Sequence, residues 1–366
     1  MNPIGLYVHV PFCVKKCPYC DFYSLPFDEA LADRYLTALL REMESRRGVL
    51  ADTLYLGGGT PVLLGEKRLV QILKKAQDCF SFSGEATVEA NPGAVSPGLL
   101  AALREAGYNR LSFGMQSAVG EELGSLGRIH SAQDAAKAVR WAKQAGFDEI
   151  SVDVMLGIKG QTSQSLANTL AFVEELQVPH VSAYLLKIEP GTPYACAHME
   201  RQVPDEDQAA DLYLQAVREL AAMGLQQYEI SNFARPGHES RHNLKYWRCQ
   251  EYLGFGPAAH SYFGGKRFCH PRDLSEYLAS NGGTIEVTDD APGGFEETAM
   301  LGLRLAEGVD IPALCARFGR EIAPILDAAK PLLQAGLLTL REGRVALTPE
   351  GFLLSNAVIG KLVLQD

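Results

Sequence analysis

Residues 6–20 read LYVHVPFCVKKCPYC, and the spacing of Cys13, Cys17 and Cys20 decides the reading of the whole chain. A strand-like apolar run delivers three thiols spaced Cys-three-Cys-two-Cys. Three thiolates can ligate three irons of a four-iron, four-sulfur (4Fe-4S) cluster and leave the fourth iron open. A zinc finger or a ferredoxin-type cluster normally wants a fourth protein ligand nearby. Here Asp21 and Phe22 follow the trio, the next cysteine is Cys79, and His9 precedes it on the strand. Zinc and disulfide readings are the alternatives. Both are weakened because Cys79, Cys196, Cys249, Cys269 and Cys315 are scattered singly.

Working outward, the first half alternates short apolar runs with amphipathic ones. Strands are expected at 6–12, 53–58, 85–90, 110–116, 149–156 and 180–188, with helices at 33–47, 67–80, 96–107, 131–146, 163–176 and 207–224. Ser96-Pro97 and Ser131 with Asp134 supply helix starts, and Gly107 a stop. Six strand-then-helix units imply parallel strands, read as apolar on both faces. The fold class is α/β, a partial (β/α)6 TIM-like barrel whose reactive residues sit at the C-terminal strand ends. A doubly wound open sheet is the competing layout.

The rhythm stops near residue 225. The boundaries drawn are 1–225 for the barrel, 226–290 for an irregular aromatic- and glycine-rich segment packing on it, and 291–366 for a C-terminal unit. That last unit reads as helices with a hairpin around Glu342-Gly343, a helical, winged-helix-like domain. DNA binding is rejected for it: residues 286–366 hold seven Lys/Arg against twelve Asp/Glu. The whole chain, 366 residues with a net charge of −10, likewise lacks the basic footprint of a nucleic-acid binder. No apolar run of about 18 residues is present. The N-terminus lacks signal-peptide features, and the thiol pattern suits a reducing cytosol, so a cytoplasmic location is expected.

Polar residues recur at the expected strand ends. The 53–58 strand runs into Gly57, Gly58, Gly59, Thr60 and Pro61, a turn that lets a ligand approach the backbone. No Gly-Lys-Ser/Thr follows, so it is not a P-loop. Glu89, Gln116 and Asp153 end or interrupt the next strands, with Arg128 shortly beyond Gln116. Several such groups at one end favour a ligand mouth over isolated structural polar residues.

The trio, GGGTP, Glu89, Gln116, Arg128 and Asp153, in that order, make the chain resemble the radical S-adenosylmethionine (SAM) superfamily, and within it the HemN/HemW group. The resemblance covers essentially the whole chain. It implies cluster ligation by Cys13, Cys17 and Cys20, and SAM contacts by Tyr7, Tyr19, Gly58, Gly59, Thr60 and Glu89. Gln116, Arg128 and Asp153 match residues that hold a second SAM in the group's coproporphyrinogen III dehydrogenase. The family's reduced cluster passes an electron to the SAM sulfonium, giving methionine and a deoxyadenosyl radical.

That dehydrogenase carries a further Cys where this chain has Phe22, and a long segment before its cluster. The haem-chaperone branch lacks both. HNLKYW, with His242, Asn243, Tyr246 and Trp247, matches a motif associated there with haem. His242 is a candidate axial ligand, with Cys249, His260 and His270 as competitors. Read from residues alone, a His in an aromatic-rich loop is more often a hydrogen-bonded loop residue. The expected function is that of a haem chaperone binding a 4Fe-4S cluster, one or two SAM and haem, and delivering haem to apo-haemoproteins. A membrane-associated client and a homodimer are among the partnerships considered. The alternatives are coproporphyrinogen III dehydrogenase and a HemN-like radical SAM methyltransferase.

Overall fold

The structure, a computed structural model, describes residues 2–363. Six parallel strands form its centre: β1 (Ile4–Val10), β2 (Ala51–Gly58), β3 (Glu85–Ala90), β4 (Arg110–Gln116), β5 (Glu149–Leu156) and β6 (His180–Leu185). Each is followed by a covering helix: α1 (Glu29–Ser45), α2 (Gly65–Phe80), α3 (Pro97–Ala106), α4 (Ala132–Gln144), α5 (Ser163–Leu176) and α6 (Glu206–Ala222). The helix starts are where the caps place them. Ser96 accepts from Leu99 N, and Ser131 with Asp134 forms a reciprocal capping box.

The strands are not apolar on both faces. Alternate residues, such as Leu54, Leu56, Val88, Leu111, Phe113, Val152 and Val181, are buried in the core under the helices. The intervening residues face the barrel interior and are polar: Tyr55, Glu89, Ser112, Asp153, Ser182 and Tyr184 line one internal cavity. Period two along a strand therefore separates the packing face from the ligand face.

The segment after 225 is not irregular either. It supplies β7 (Gln226–Gln227), β8 (Asn232–Ala234), α7 (Arg241–Trp247), β9 (Tyr252–Phe255), β10 (His260–Phe263), β11 (Lys266–Cys269) and β12 (Glu286–Asp289). These extend both edges of the central sheet, giving the order β12-β11-β10-β9-β1-β2-β3-β4-β5-β6-β8-β7. β9 lies parallel to β1 and pairs Tyr7 with Gly254, while β8 runs antiparallel to β6. The strands are two to four residues long and interrupted by glycines. Their pairing is set by contact with an existing sheet edge, which local periodicity does not encode.

Beyond them lie α8 (Phe295–Gly302), α9 (Ile311–Phe318), α10 (Ile322–Gln334), β13 (Leu338–Arg341), β14 (Arg344–Leu347) and α11 (Ser355–Val363). The predicted hairpin forms between β13 and β14. Glu342 and Gly343 both have positive φ, 51° and 82°, as a two-residue type I′ turn requires. Val309–Asp310 adds a third strand to this small sheet, completing the winged-helix-like unit.

Candidate functional site

The cysteine loop leaves β1 and is held against the glycine turn after β2 by backbone hydrogen bonds. Gly59 N donates to Val10 O (2.8 Å) and Thr60 N to Phe12 O (2.7 Å). A Cβ on Gly59 would lie 2.4 Å from Phe12 O, so only glycine permits this approach. Gly58 has φ +101°, and a Cβ there would strike the His9 ring at 2.5 Å. The glycine run therefore serves the cysteine loop as much as any ligand. The Thr60 hydroxyl reaches Cys13 Sγ at 3.8 Å. All three thiols are free and partly exposed.

A cavity of about 330 Å³ opens at the C-terminal ends of the barrel strands. Of the residues singled out from the sequence, Cys13, Cys17, Cys20, Tyr19, Gly58, Gly59, Thr60, Glu89, Gln116, Arg128, Asp153 and Asn243 line it. Two carboxylates face it from neighbouring positions. Burial, with Asp153 nearby, pushes Glu89 up to about 7, although Tyr55 OH (2.8 Å) and the Gly58 amide oppose the shift. Burial pushes Asp153 up to about 6 against hydrogen bonds from Ser112 (3.1 Å) and Ser182. Arg128 also lines the cavity: its Nη2 donates to Tyr19 OH (2.6 Å) and its guanidinium lies 5.8 Å from the Tyr19 ring centre. Gln116 adopts φ +73°, a strained conformation for a side-chain-bearing residue, and accepts from Tyr184 OH at 3.2 Å. Buried polar atoms here lack partners among the described residues: Asn91 Oδ1, Asn232 Oδ1 and Arg128 Nε.

Tyr7, His242, Tyr246 and Trp247 do not line this cavity. The expectation of an HNLKYW loop offering His242 as a ligand is corrected. These residues form α7, capped by Ser240, whose side chain accepts from Asn243 N. The helix lies against the N-terminal ends of the strands, where Glu85 accepts from His242 N (2.9 Å) and Arg241 N (3.1 Å). His242 is 1% exposed. Its Nδ1 meets Thr53 Oγ1 at 2.8 Å, its Nε2 meets Tyr246 OH at 2.7 Å, and its ring stacks on Tyr55 at 5.3 Å. Burial holds its pKa down to about 3. Both ring nitrogens are thus engaged by hydroxyls in this structure. Trp247 instead lies 6.0 Å beneath the Arg304 guanidinium.

Tyr7 and Tyr246 line a second cavity of about 620 Å³ between the cysteine loop and the β9–β11 extension. Tyr7 OH is 3.0 Å from His9 Nδ1, and burial raises its pKa well above the usual tyrosine value. Of the other candidate ligands, His270 is held by Glu42 (2.8 Å) and Thr284 O (2.9 Å). Cys249 is partly buried outside both cavities.

The first cavity is also lined by Tyr55, Ser112, Ser182, Tyr184, Ser231 and Asn232, which the sequence reading did not single out. Period-two spacing from Glu89 and Asp153 could have found the residues on the strands. Ser231 and Asn232 carry no local signal.

Comparison with known proteins agrees with this architecture. Residues 7–173 match the family model described as the Radical SAM superfamily, and residues 295–354 the HemN C-terminal domain. The chain is 36% identical to a protein named heme chaperone HemW from Bacillus subtilis, over 97% of each chain. It is 35% identical to the protein of that name from Escherichia coli K12, over 98% of each. The solved structure of E. coli coproporphyrinogen III oxidase HemN, described as a radical SAM enzyme, superposes with a TM-score of 0.85 at 24% identity. That match covers 99% of this chain and 90% of that one, and it supports the fold. The chain belongs to the radical SAM superfamily, in its HemN/HemW group.

Proposed function

We propose that the chain is a haem chaperone: a protein that carries a 4Fe-4S cluster and SAM at the barrel mouth, binds haem, and delivers it to apo-haemoproteins. The observation that carries this reading is the similarity, over nearly the full length, to proteins named heme chaperone HemW.

The residues at the mouth suit the cluster and SAM. Three unpaired thiols share one cavity wall. Among the described residues, no three His, Cys, Asp or Glu side chains converge as a single-ion site. When bound, the cluster and SAM supply one-electron cleavage chemistry at the sulfonium.

The chain's own groups would do the rest. Cys13, Cys17 and Cys20 hold the cluster. The Gly58-Gly59-Thr60 turn, whose amides are already committed, borders the space for SAM, and the unpartnered Asn91 and Asn232 oxygens receive its polar groups. Glu89, costly as a buried carboxylate, gains hydroxyl donors from the sugar. Tyr19, fixed by Arg128, offers a ring face to the adenine. Gln116, Arg128 and Asp153 line the same cavity, where a second SAM would compete for the space.

The test is anaerobic reconstitution of the cluster, followed by haem titration and by separate incubation with coproporphyrinogen III and SAM. Stable haem uptake without porphyrinogen turnover is expected. Formation of protoporphyrinogen IX with no haem uptake would replace this reading with the dehydrogenase one.

A further inference from the structure

The structure holds a second cavity with the make-up of a site for a flat, largely apolar ligand that bears an iron and carboxylates. It measures about 620 Å³, within the usual range for ligand pockets. Its walls include the rings of Tyr7, Phe22, Tyr23, Tyr246 and Tyr252. Phe22, 63% exposed, lines both this cavity and the first, so the two chambers share one wall beside the cysteine loop. α7 stands behind both, sending Asn243 to one and Tyr246 to the other.

Three imidazoles line the second cavity, and two are unavailable. His9 is bonded through both nitrogens, to Tyr7 OH and Tyr23 O. His270 is bonded through both, to Thr284 O and Glu42. His260, at the start of β10, is only partly covered, and neither of its ring nitrogens has a hydrogen-bond partner among the described residues. Burial and the charges of Arg267 and Arg272 hold it below the usual histidine pKa, which favours the neutral, ligating form.

Its direct cross-strand neighbour is Cys269, on the same face. Burial and the Glu286 carboxylate push that thiol up. Being protonated, it is the weaker donor. Arg272 lies at the margin as the cavity's cation, anchored to Asp21 O at 2.5 Å. Asp21 and Glu286 also border the space, so carboxylates of a ligand are favoured only on the Arg272 side.

Resting on the chaperone reading, we propose that haem occupies this second cavity, with His260 as an axial ligand. The macrocycle lies among the tyrosines and a propionate meets Arg272. The HNLKYW motif contributes Tyr246 as a wall and His242 as the buried support that fixes the Tyr246 hydroxyl.

The experiment titrates hemin into the full-length wild-type protein and into H260A, H260Q, C269S and H242Q, following the Soret band and the iron EPR signal. Circular dichroism and the cluster absorbance serve as fold controls. H260A and H260Q should bind hemin on the order of 10–100-fold more weakly, and added imidazole should restore the H260A spectrum. C269S should keep the wild-type ligation spectrum, and H242Q should keep the same axial-ligand signature while binding hemin more weakly, because it loosens the Tyr246 wall. Wild-type ligation spectra and affinity in both His260 variants would overturn the assignment while leaving the chaperone reading intact. Failure of the wild-type protein to take up hemin would overturn that reading first.

Discussion

Strand β3 carries two interior glutamates four residues apart, and they live in opposite worlds. Glu85, at the N-terminal end, accepts two backbone N–H groups of α7 and lies 3.9 Å from the buried Arg110. Arg110 in turn meets Glu149 at 3.1 Å and His238 O at 3.1 Å, and His238 meets Glu149 at 2.8 Å. Glu89, at the other end, has one side-chain partner, Tyr55, and otherwise faces the cavity. Both ends of the barrel interior are polar, but the Glu85 carboxylate is met by two backbone donors and faces the Arg110 guanidinium, while Glu89 has a single side-chain partner and an open cavity before it. A polar residue inside a barrel signals function where its partners are missing, and signals architecture where they are present. His242 belongs to the Glu85 end, with a partner on each ring nitrogen.

The comparison can be broken most decisively at the open end. Replacing Cys17 with Ser should abolish cluster incorporation, read as loss of iron and of the EPR signal. Stability of the metal-free protein should shift by less than about 0.5 kcal/mol, because the side chain is not part of the core. Unchanged iron content would remove Cys17 from the ligand set.

At the closed end the effect should appear as stability instead. Glu85→Ala strips partners from α7 and from Arg110 and should cost about 3 kcal/mol in denaturant unfolding. Glu89→Gln should leave unfolding nearly unchanged while weakening SAM binding in calorimetry. Equal losses of stability from the two variants would erase the distinction between the ends.

The glycine turn sharpens it further. Gly59→Ala drives a methyl into the Phe12 carbonyl and should cost about 1–3 kcal/mol. It should also lower cluster retention, because the same contact holds the cysteine loop. Normal retention would show that the loop is positioned by other bonds.

The gentlest probe is pH, because the two ends bias stability in opposite directions. Glu89, held up to about 7, binds its proton more tightly folded than unfolded. Stability of the cofactor-free protein should therefore fall as pH rises from the ordinary carboxylate range through about 7, and Glu89→Gln should flatten that slope. His242, held down to about 3, binds its proton less tightly when folded. Its contribution is present above the ordinary histidine range and is lost as pH falls toward 3, and His242→Gln should remove that acid-side loss. Melting temperatures across pH 3–9 would check both, and slopes of the same sign would contradict the burial assigned to one of the two groups.

Much of this was legible in the chain. The six barrel strands, their helices and the Glu342-Gly343 hairpin follow from apolar periodicity, caps and turn residues, all of which act over a few neighbours. The cysteine trio and the strand-end residues gave the contents of the first cavity, because a parallel βα repeat brings successive strand ends to one rim. Three things were not legible. One is the polar inner face of the strands, visible only once the sheet curves around it. Another is the pairing of β9 beside β1, between residues 247 apart in sequence, as Gly5 and Tyr252 are. The last is the direction of each side chain on α7.

Sequence by itself determined the barrel elements and most of the residues that carry chemistry, since spacing, propensity and donor type are properties of short stretches. Tertiary structure alone decided which of those residues remain unsatisfied. His242 lost both nitrogens to Thr53 and Tyr246, one from a distant strand and one a helical turn away, while His260 kept its own free at a cavity wall. Partners of a buried polar group are supplied by the closed fold, and a side chain's availability depends on what closure leaves beside it.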